Sequence, residues 1–194
     1  MDDAIDVLNN FNSDNNNQIN LQRPYRVMDV ANYIVNRFSE QEHPITNLLL
    51  LKMLYYLQAY FLVSDNERLF TGKIQKWGYG PVEPIVYSYF KDNGAAPIWH
   101  SVQYAVNDDG MLRMINPEGR HLQKNDRLRI DRIVDRLYNR YHKDPFELVE
   151  ITHGEPMWLK DKDKIENGVH NIEYNNQEIA EYLVMEKNGL GSRK

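Results

Sequence analysis

The sequence predicts a mainly α fold, a single helical-bundle-like domain with one small β-hairpin. Three segments carry this prediction. The first is an apolar stripe at helical spacing, formed by Val27, Val30, Ala31, Ile34, Val35 and Phe38. The second, Leu48–Val63, is apolar almost all round, which is typical of a buried central helix. The third is a long amphipathic helix marked by Ile130, Ile133, Val134, Leu137, Tyr138 and Tyr141.

The central helix is expected to begin after Thr46, a favourable N-cap residue, and to run through Val63. Lys52 and Gln58 interrupt its apolar stretch, which is shorter than the roughly 20 apolar residues that a membrane span needs. We therefore predict a core helix. Buried tyrosine hydroxyls need hydrogen-bond partners, and Lys52 is a candidate partner for Tyr55, Tyr56 or Tyr60.

Turn residues divide the remaining elements. Two glycines and a proline within Trp77–Val82 impose a sharp backbone path, and Pro81 suits the first turn of a following helix that ends at Asn93-Gly94. Asp109-Gly110 predicts a hairpin with arms at 102–106 and 111–115. The long third helix is expected to be capped near Asn125 or Asp126. Two shorter helices are expected, over 145–152 and 177–187.

The chain is expected to form one domain with two tails. Residues 1–24 hold seven asparagines, and their apolar area is too small to offset the cost of ordering the chain. We expect most of this segment to be mobile, or to fold as a clip against a partner. The helical domain is predicted over 25–188, and a flexible glycine-containing tail over 189–194.

Composition excludes several classes of protein. The 194 residues are 42% hydrophobic and 26% charged, with a net charge of −5 and a mean hydropathy of −0.67, which describes a soluble globular protein. The absence of cysteine excludes disulfide scaffolds, thiol nucleophiles and thiolate metal sites, and it fits the reducing cytoplasm. The acidic start of the chain has the wrong charge for a signal peptide.

No catalytic or cofactor motif is complete. Gly72-Lys73 lacks the spacing and the following Ser or Thr of a phosphate-binding loop. His153-Gly154-Glu155 resembles half of a zinc deaminase site, which requires cysteines. The six histidines are scattered, and Asp161 and Asp163 alternate with lysines as in a solvated loop. We therefore predict no enzyme activity, no metal and no cofactor.

Residues 120–143 carry eight arginines and lysines against three aspartates. Arg129, Arg132, Arg136 and Arg140 fall on one stripe of the long helix, with Asp131 and Asp135 on an adjacent stripe. The favoured interpretation is a solvated face with ion pairs, and the alternative is a docking face for an acidic partner or for phosphate groups. The rest of the chain is acidic, so protein is a better partner than nucleic acid.

Four of the aromatic residues lie near predicted turns rather than within predicted helices. They are Trp77, Tyr79, Trp99 and Trp158, and most aromatics of this kind pack in or under the core. An exposed cluster would instead suit a binding hot spot, where Trp, Tyr and Arg are enriched.

Three blocks together resemble the Panacea domain family of SocA-like antitoxins and phage-associated proteins. Ile45–Tyr60 (ITNLLLLKMLYYLQAY) is similar to the family run I-T-x-L-K-L-Q-K-L-L-Y-F-A-Q-A-Y. Trp77–Phe90 (WGYGPVEPIVYSYF) is similar to W-x-Y-G-P-V-x-P-x-V-Y-x-x-F. Leu148–Trp158 resembles L-x-x-x-T-H-x-E-x-P-W, with Pro-Met-Trp at its end. The order and rough spacing agree over about residues 27–160.

This resemblance implies a cytoplasmic α-helical antitoxin that binds a cognate toxin protein directly. It also leaves open an adaptor that delivers the toxin to a ClpXP-type protease. A DNA-binding phage regulator is a third interpretation, which would require the arginine stripe to contact phosphates. We expect partner contacts, or the scaffold beneath them, at Trp77, Tyr79, Pro81, Arg129, Arg132, Arg136, Arg140, His153 and Trp158.

Overall fold

The computed structural model describes residues 23–106, 110–114 and 122–187. Eight α-helices account for most of this part of the chain, which confirms the mainly α fold class. They are α1 (Val27–Glu40), α2 (Asn47–Asp65), α3 (Pro84–Phe90), α4 (Lys124–Tyr141), α5 (Phe146–His153), α6 (Pro156–Leu159), α7 (Lys162–Glu166) and α8 (Asn176–Lys187). Two antiparallel hairpins join them, β1–β2 (Gln75–Trp77, Gly80–Val82) and β3–β4 (Tyr104–Val106, Leu112–Met114).

Helix α2 forms the centre of the core, as predicted. The Thr46 side chain accepts a hydrogen bond from the Leu49 N–H and caps its start, and Asn66 in the left-handed region ends it. Helices α1, α3, α4 and α8 and strand β2 all pack against α2. By length and composition α2 could cross a membrane, but 78% of its most apolar window is buried inside the fold. Its apolar character therefore serves the core.

Helix α1 covers one side of α2 with its predicted stripe. Ile34 and Val35 are fully buried, and Phe38 is 1% exposed. Asn32, also on the buried side, donates to the Val102 carbonyl at 2.5 Å and accepts from the Val102 N–H at 2.9 Å. Because a buried amide must satisfy both of its polar atoms, this pair fixes the segment that leads into β3.

The predicted hairpin at 102–106 and 111–115 is confirmed as β3–β4, and its central turn residues, 107–109, lie outside the described residues. The β1–β2 hairpin was not predicted. Pro81, expected in the first turn of a helix, lies in β2 opposite Lys76. Pro84 occupies the first turn of α3 instead, and the Glu83 side chain caps that helix by accepting from the Val86 N–H. Helix α3 ends at Phe90, and a 3₁₀ turn over Lys91–Asn93 continues the helical segment to Gly94, where the sequence predicts its end.

Helix α4 begins at Lys124, so the predicted cap at Asn125 or Asp126 was wrong by two or three residues. Asp126 is buried in the first turn, where it accepts a hydrogen bond from the Tyr25 hydroxyl at 2.7 Å and lies 3.3 Å from Arg23 Nε. The Asp126 carboxylate, which the sequence predicts as a possible helix cap, therefore binds Tyr25 instead. Arg23 belongs to this packed region. Residues 1–22 of the predicted mobile segment lie outside the described residues, as does the predicted tail 189–194.

Candidate functional site

The β1–β2 hairpin places its tip at the surface. Trp77 pairs with Gly80, which leaves Gly78 and Tyr79 as a two-residue connection. Gly78 is exposed and the Tyr79 side chain is 66% exposed. The hairpin thus presents an aromatic ring to solvent from a short backbone loop.

Gly80 is the point where the tip meets the core. Its φ is +85°, a backbone conformation that glycine adopts without steric cost. A Cβ at this position would lie 2.5 Å from both Lys52 Nζ and Thr152 Oγ1. The Thr152 hydroxyl is held in place, because it donates toward the Leu148 and Val149 carbonyls of α5. Only glycine fits between these groups.

Lys52 supports the tip from beneath. Its side chain projects from the second turn of α2, is fully buried, and donates a hydrogen bond from Nζ to the Tyr79 carbonyl. Burial lowers the pKa of Lys52 to about 7, and the nearby Glu155 carboxylate opposes that shift. A buried polar contact of this kind fixes the backbone of the tip while the Tyr79 ring remains outside.

Glu155 is the second ionisable group of this buried cluster. It precedes α6, is 2% exposed, and accepts a hydrogen bond from the Tyr55 hydroxyl. Burial raises the pKa of Glu155 to about 8, although the Tyr55 hydrogen bond and the Lys52 charge favour its ionised form. Tyr55 therefore finds its hydrogen-bond partner in Glu155, a residue of the third sequence block. The sequence had suggested Lys52 for this role.

We expect the buried carboxyl to make stability fall with rising pH. The folded-state pKa of Glu155 is raised from 4.5 to about 8, so the folded protein holds this proton more tightly than the unfolded chain does. Between pH 5 and pH 8, wild type should lose about 3–4 kcal/mol of unfolding free energy relative to Glu155→Gln. Urea denaturation of both proteins at several pH values measures this difference.

Lys52→Met supplies the control of opposite sign. The pKa of Lys52 is lowered from 10.5 to about 7, so its contribution to stability should increase as the pH rises from 8 to 10. Parallel pH profiles for wild type and Glu155→Gln would contradict the assignment of the raised pKa to Glu155.

Trp158 and His153 complete the support of the hairpin. The Trp158 indole N–H donates to the Trp77 carbonyl at 3.1 Å, and the His153 ring stacks on Trp158 with 3.9 Å between centroids. Burial and the Lys52 charge lower the pKa of His153, while a hydrogen bond to the Gly78 backbone opposes this shift. All three sequence blocks thus meet around the residues Trp77–Gly80.

A buried ion pair anchors the middle of β1. Lys76 is 3% exposed and its Nζ lies 2.7 Å from Asp161 Oδ2. Hydrogen bonds from Lys164 and Lys76 lower the pKa of Asp161. The prediction that Asp161 belongs to a solvated loop was wrong, because β1 brings a lysine against it. Asp163 is exposed, in helix α7.

The candidate residues of the two turns divide between the interior and the surface. Trp158 is 4% exposed and Pro81 is buried, so these two candidates belong to the scaffold. Trp77 is half-buried and packs its ring edge against Tyr87 at 4.8 Å. Tyr79 instead meets Phe146, which is 53% exposed, in an edge-to-face contact at 5.9 Å.

We define the tip surface as Tyr79, Phe146, Glu147 and Glu150. Tyr79 comes from the hairpin, and the other three come from the exposed side of α5. Sequence analysis missed Phe146, since its only signal was an aromatic residue directly after Pro145. The exposed carboxylates carried no signal, because single glutamates are common on helix surfaces.

The four arginines of the stripe lie in different environments, and Arg129 is half-buried against α2. Arg129 contacts Asp65 at 2.7 Å and lies 4.2 Å from the Phe61 ring centroid. Burial alone would raise the pKa of Asp65, but the Arg129 hydrogen bonds lower it to about 2. Arg132 and Arg140 are exposed and Arg136 is half-buried, and all three take part in interactions within the fold.

The adjacent aspartate stripe is a packing surface. Arg37 of α1 lies 3.0 Å from Asp131 and 2.6 Å from Asp135, and the Tyr33 hydroxyl donates to Asp131 at 2.8 Å. These contacts join α4 to α1, so this face of α4 is engaged within the domain. Among the residues that the structure describes, no group of three or more His, Asp or Glu is placed to hold a metal ion.

Comparison with known proteins gives the family. The family model described as "Antitoxin SocA-like, Panacea domain" matches residues 50–159, which include Lys52, the hairpin, Glu155 and Trp158. Antitoxin SocA of Caulobacter vibrioides (strain NA1000 / CB15N) is 40% identical over 65 residues. That match covers 34% of this chain and 35% of the relative, about a third of its length.

No solved structure matches the chain significantly. The resemblance expected from the three blocks is confirmed, and the family model covers more than half of the sequence. The chain therefore belongs to the Antitoxin SocA-like, Panacea domain family.

Proposed function

We propose that this protein is an antitoxin that neutralises a cognate toxin protein by binding it directly, without catalysis. Its family supports an antitoxin role. The observation that carries direct binding is the exposed Tyr79–Phe146 pair on a hairpin held from beneath by Lys52. Aromatic side chains on a rigid support lose little entropy on binding and are enriched among hot spots.

The rest of the family motif supports this presentation. Lys52, Gly80, Thr152 and Trp158 lie in the interior around the tip, where a toxin does not reach them. A shared interior with a variable exterior would let one scaffold serve different toxins. In this proposal Trp77 and His153 border the contact, and Arg132, Arg136 and Arg140 lie outside it.

The remaining parts of the proposal concern setting and extent. We propose a cytoplasmic protein, since a chain without cysteine suits a reducing compartment. The domain is proposed over residues 25–188, which contain the matched span 50–159. We propose no membrane or nucleic-acid partner.

We expect this chain to restore growth when the product of an adjacent gene is induced and arrests the cell. Co-expression should give full rescue, and affinity-tagged antitoxin should retain the toxin in a complex that survives gel filtration. Direct binding predicts a constant toxin level during rescue, which immunoblotting of the toxin measures.

Two outcomes would change the conclusion. Rescue with loss of the toxin band, dependent on the host ClpXP protease, would establish the adaptor mechanism instead. Toxicity that this chain does not relieve would overturn the antitoxin proposal for that gene pair.

A gel shift with upstream DNA at low salt tests the regulator alternative, and we expect no bound band.

A further inference from the structure

The tip surface carries carboxylates as well as aromatic rings. Phe146 opens α5, and Glu150 lies one turn further along, on the same side of the helix. Glu147 is exposed beside them, and the exposed Asp144 accepts a hydrogen bond from the Phe146 N–H at 3.0 Å. Lys143 is the one basic residue between positions 143 and 150. The Phe146 ring therefore stands in an acidic environment.

The carboxylates of this surface lack cationic partners. Within the described part of the chain, the side chains of Glu147 and Glu150 form no ion pair, although Glu150 acts electrostatically on His153. Some acids on other faces are engaged, since Glu173 pairs with Lys73 and Glu178 with Lys160. Two uncompensated carboxylates beside two exposed rings favour a cation that can also stack.

Arginine combines these two properties better than any other side chain. Its planar guanidinium stacks on aromatic faces and donates paired hydrogen bonds to carboxylates, whereas a lysine ammonium is compact and strongly hydrated. A phosphate group or a nucleic-acid strand would be repelled by the same carboxylates. The exposed parts of the Tyr79 and Phe146 rings leave additional apolar area for an aliphatic neighbour.

We propose that the tip surface binds a segment of the partner protein in which an arginine stands beside an aliphatic side chain. This proposal rests on the antitoxin function and specifies the chemistry of its contact. The guanidinium lies against the Tyr79 and Phe146 rings and pairs with Glu147 or Glu150. The aliphatic side chain covers the remaining edge of the rings.

The experiment is selection of a phage-displayed random dodecapeptide library on the immobilised full chain. Selected peptides should be enriched in arginine next to Leu, Ile or Val. Recovery of these phage should fall about tenfold on Glu147→Gln/Glu150→Gln, because each pair with a buried guanidinium contributes to binding. The matched control, Asp92→Gln/Glu181→Gln, replaces two exposed acids on other elements and should leave recovery unchanged.

Three outcomes would overturn the proposal. They are selection without arginine enrichment, selection that yields no binding peptide, and an equal loss of phage recovery on both double variants. Circular dichroism of each variant confirms that the fold is kept. The library reports on the chemistry of the surface alone, whereas growth rescue by wild type reports on the antitoxin function. Rescue without arginine enrichment overturns this inference and leaves the proposed function standing.

Discussion

Gly80→Ala should lower the free energy of unfolding by about 3 kcal/mol, because two independent costs fall on one methyl group. A non-glycine residue at a φ of +85° is strained. The new Cβ would also lie 2.5 Å from Lys52 Nζ and Thr152 Oγ1, and both groups are buried and hydrogen-bonded. Relieving the clash would move Lys52 away from the Tyr79 carbonyl. Urea denaturation measures the loss.

Gly78→Ala is the matched control two residues earlier. No atom lies within 4 Å of a Cβ placed there, and Gly78 is exposed. We expect this variant to change stability by less than about 0.5 kcal/mol. Equal losses at both positions would show that the hairpin is sensitive to any added side chain, and would remove the contact with Lys52 and Thr152 as the cause.

The helices that sequence predicts well are those whose own periodicity decides which face is buried. Helices α1, α2 and α4 begin and end within a few residues of the predicted positions. The periodicity does not predict the hydrogen-bond partner of each buried polar group. Gln58 of α2 accepts hydrogen bonds from the Leu69 and Phe70 N–H groups, and Lys52 reaches a carbonyl from another part of the chain. Such pairs depend on tertiary packing.

The β1–β2 hairpin escaped prediction for a related reason. Strands of three residues are too short to show an alternating pattern, and Pro81 argues against a strand in most settings. Backbone hydrogen bonds to residues about 100 positions later in the chain stabilise the first strand of the hairpin. The Lys76 N–H donates to the Ile172 carbonyl at 2.7 Å, and the Tyr174 N–H donates to the Ile74 carbonyl at 2.8 Å.

The candidate site shows the same division. Its motif residues can be identified from sequence because their types and order are distinctive. Their types do not show which of these side chains are exposed to solvent. Trp158 points inward and donates to the Trp77 carbonyl, whereas Tyr79 points outward and meets Phe146. An aromatic residue near a turn is compatible with either position. Only the packing of α5 and α6 against the hairpin decides between them.

We expect the double variant Tyr79→Ser/Phe146→Ser to abolish neutralisation while leaving the domain folded. Two exposed aromatic side chains at the centre of a contact account for much of its affinity, so the complex should weaken about a hundredfold or more. The fold should persist, because Lys52 bonds the backbone carbonyl of Tyr79 and Asp144 bonds the backbone N–H of Phe146. Neither substitution removes those bonds. Growth rescue and affinity for the toxin are the measurements.

Trp99→Ser/Tyr104→Ser is the matched control for this variant. Both residues are aromatic and exposed to a similar degree, 48% and 52%, but they lie around β3, outside the tip surface. This control should keep full rescue, since removing exposed aromatic area elsewhere does not alter the contact. If the tip variant also kept full rescue, the toxin would bind another face. Arg132→Glu/Arg136→Glu would then test the exposed side of α4, where the arginine stripe offers the alternative contact.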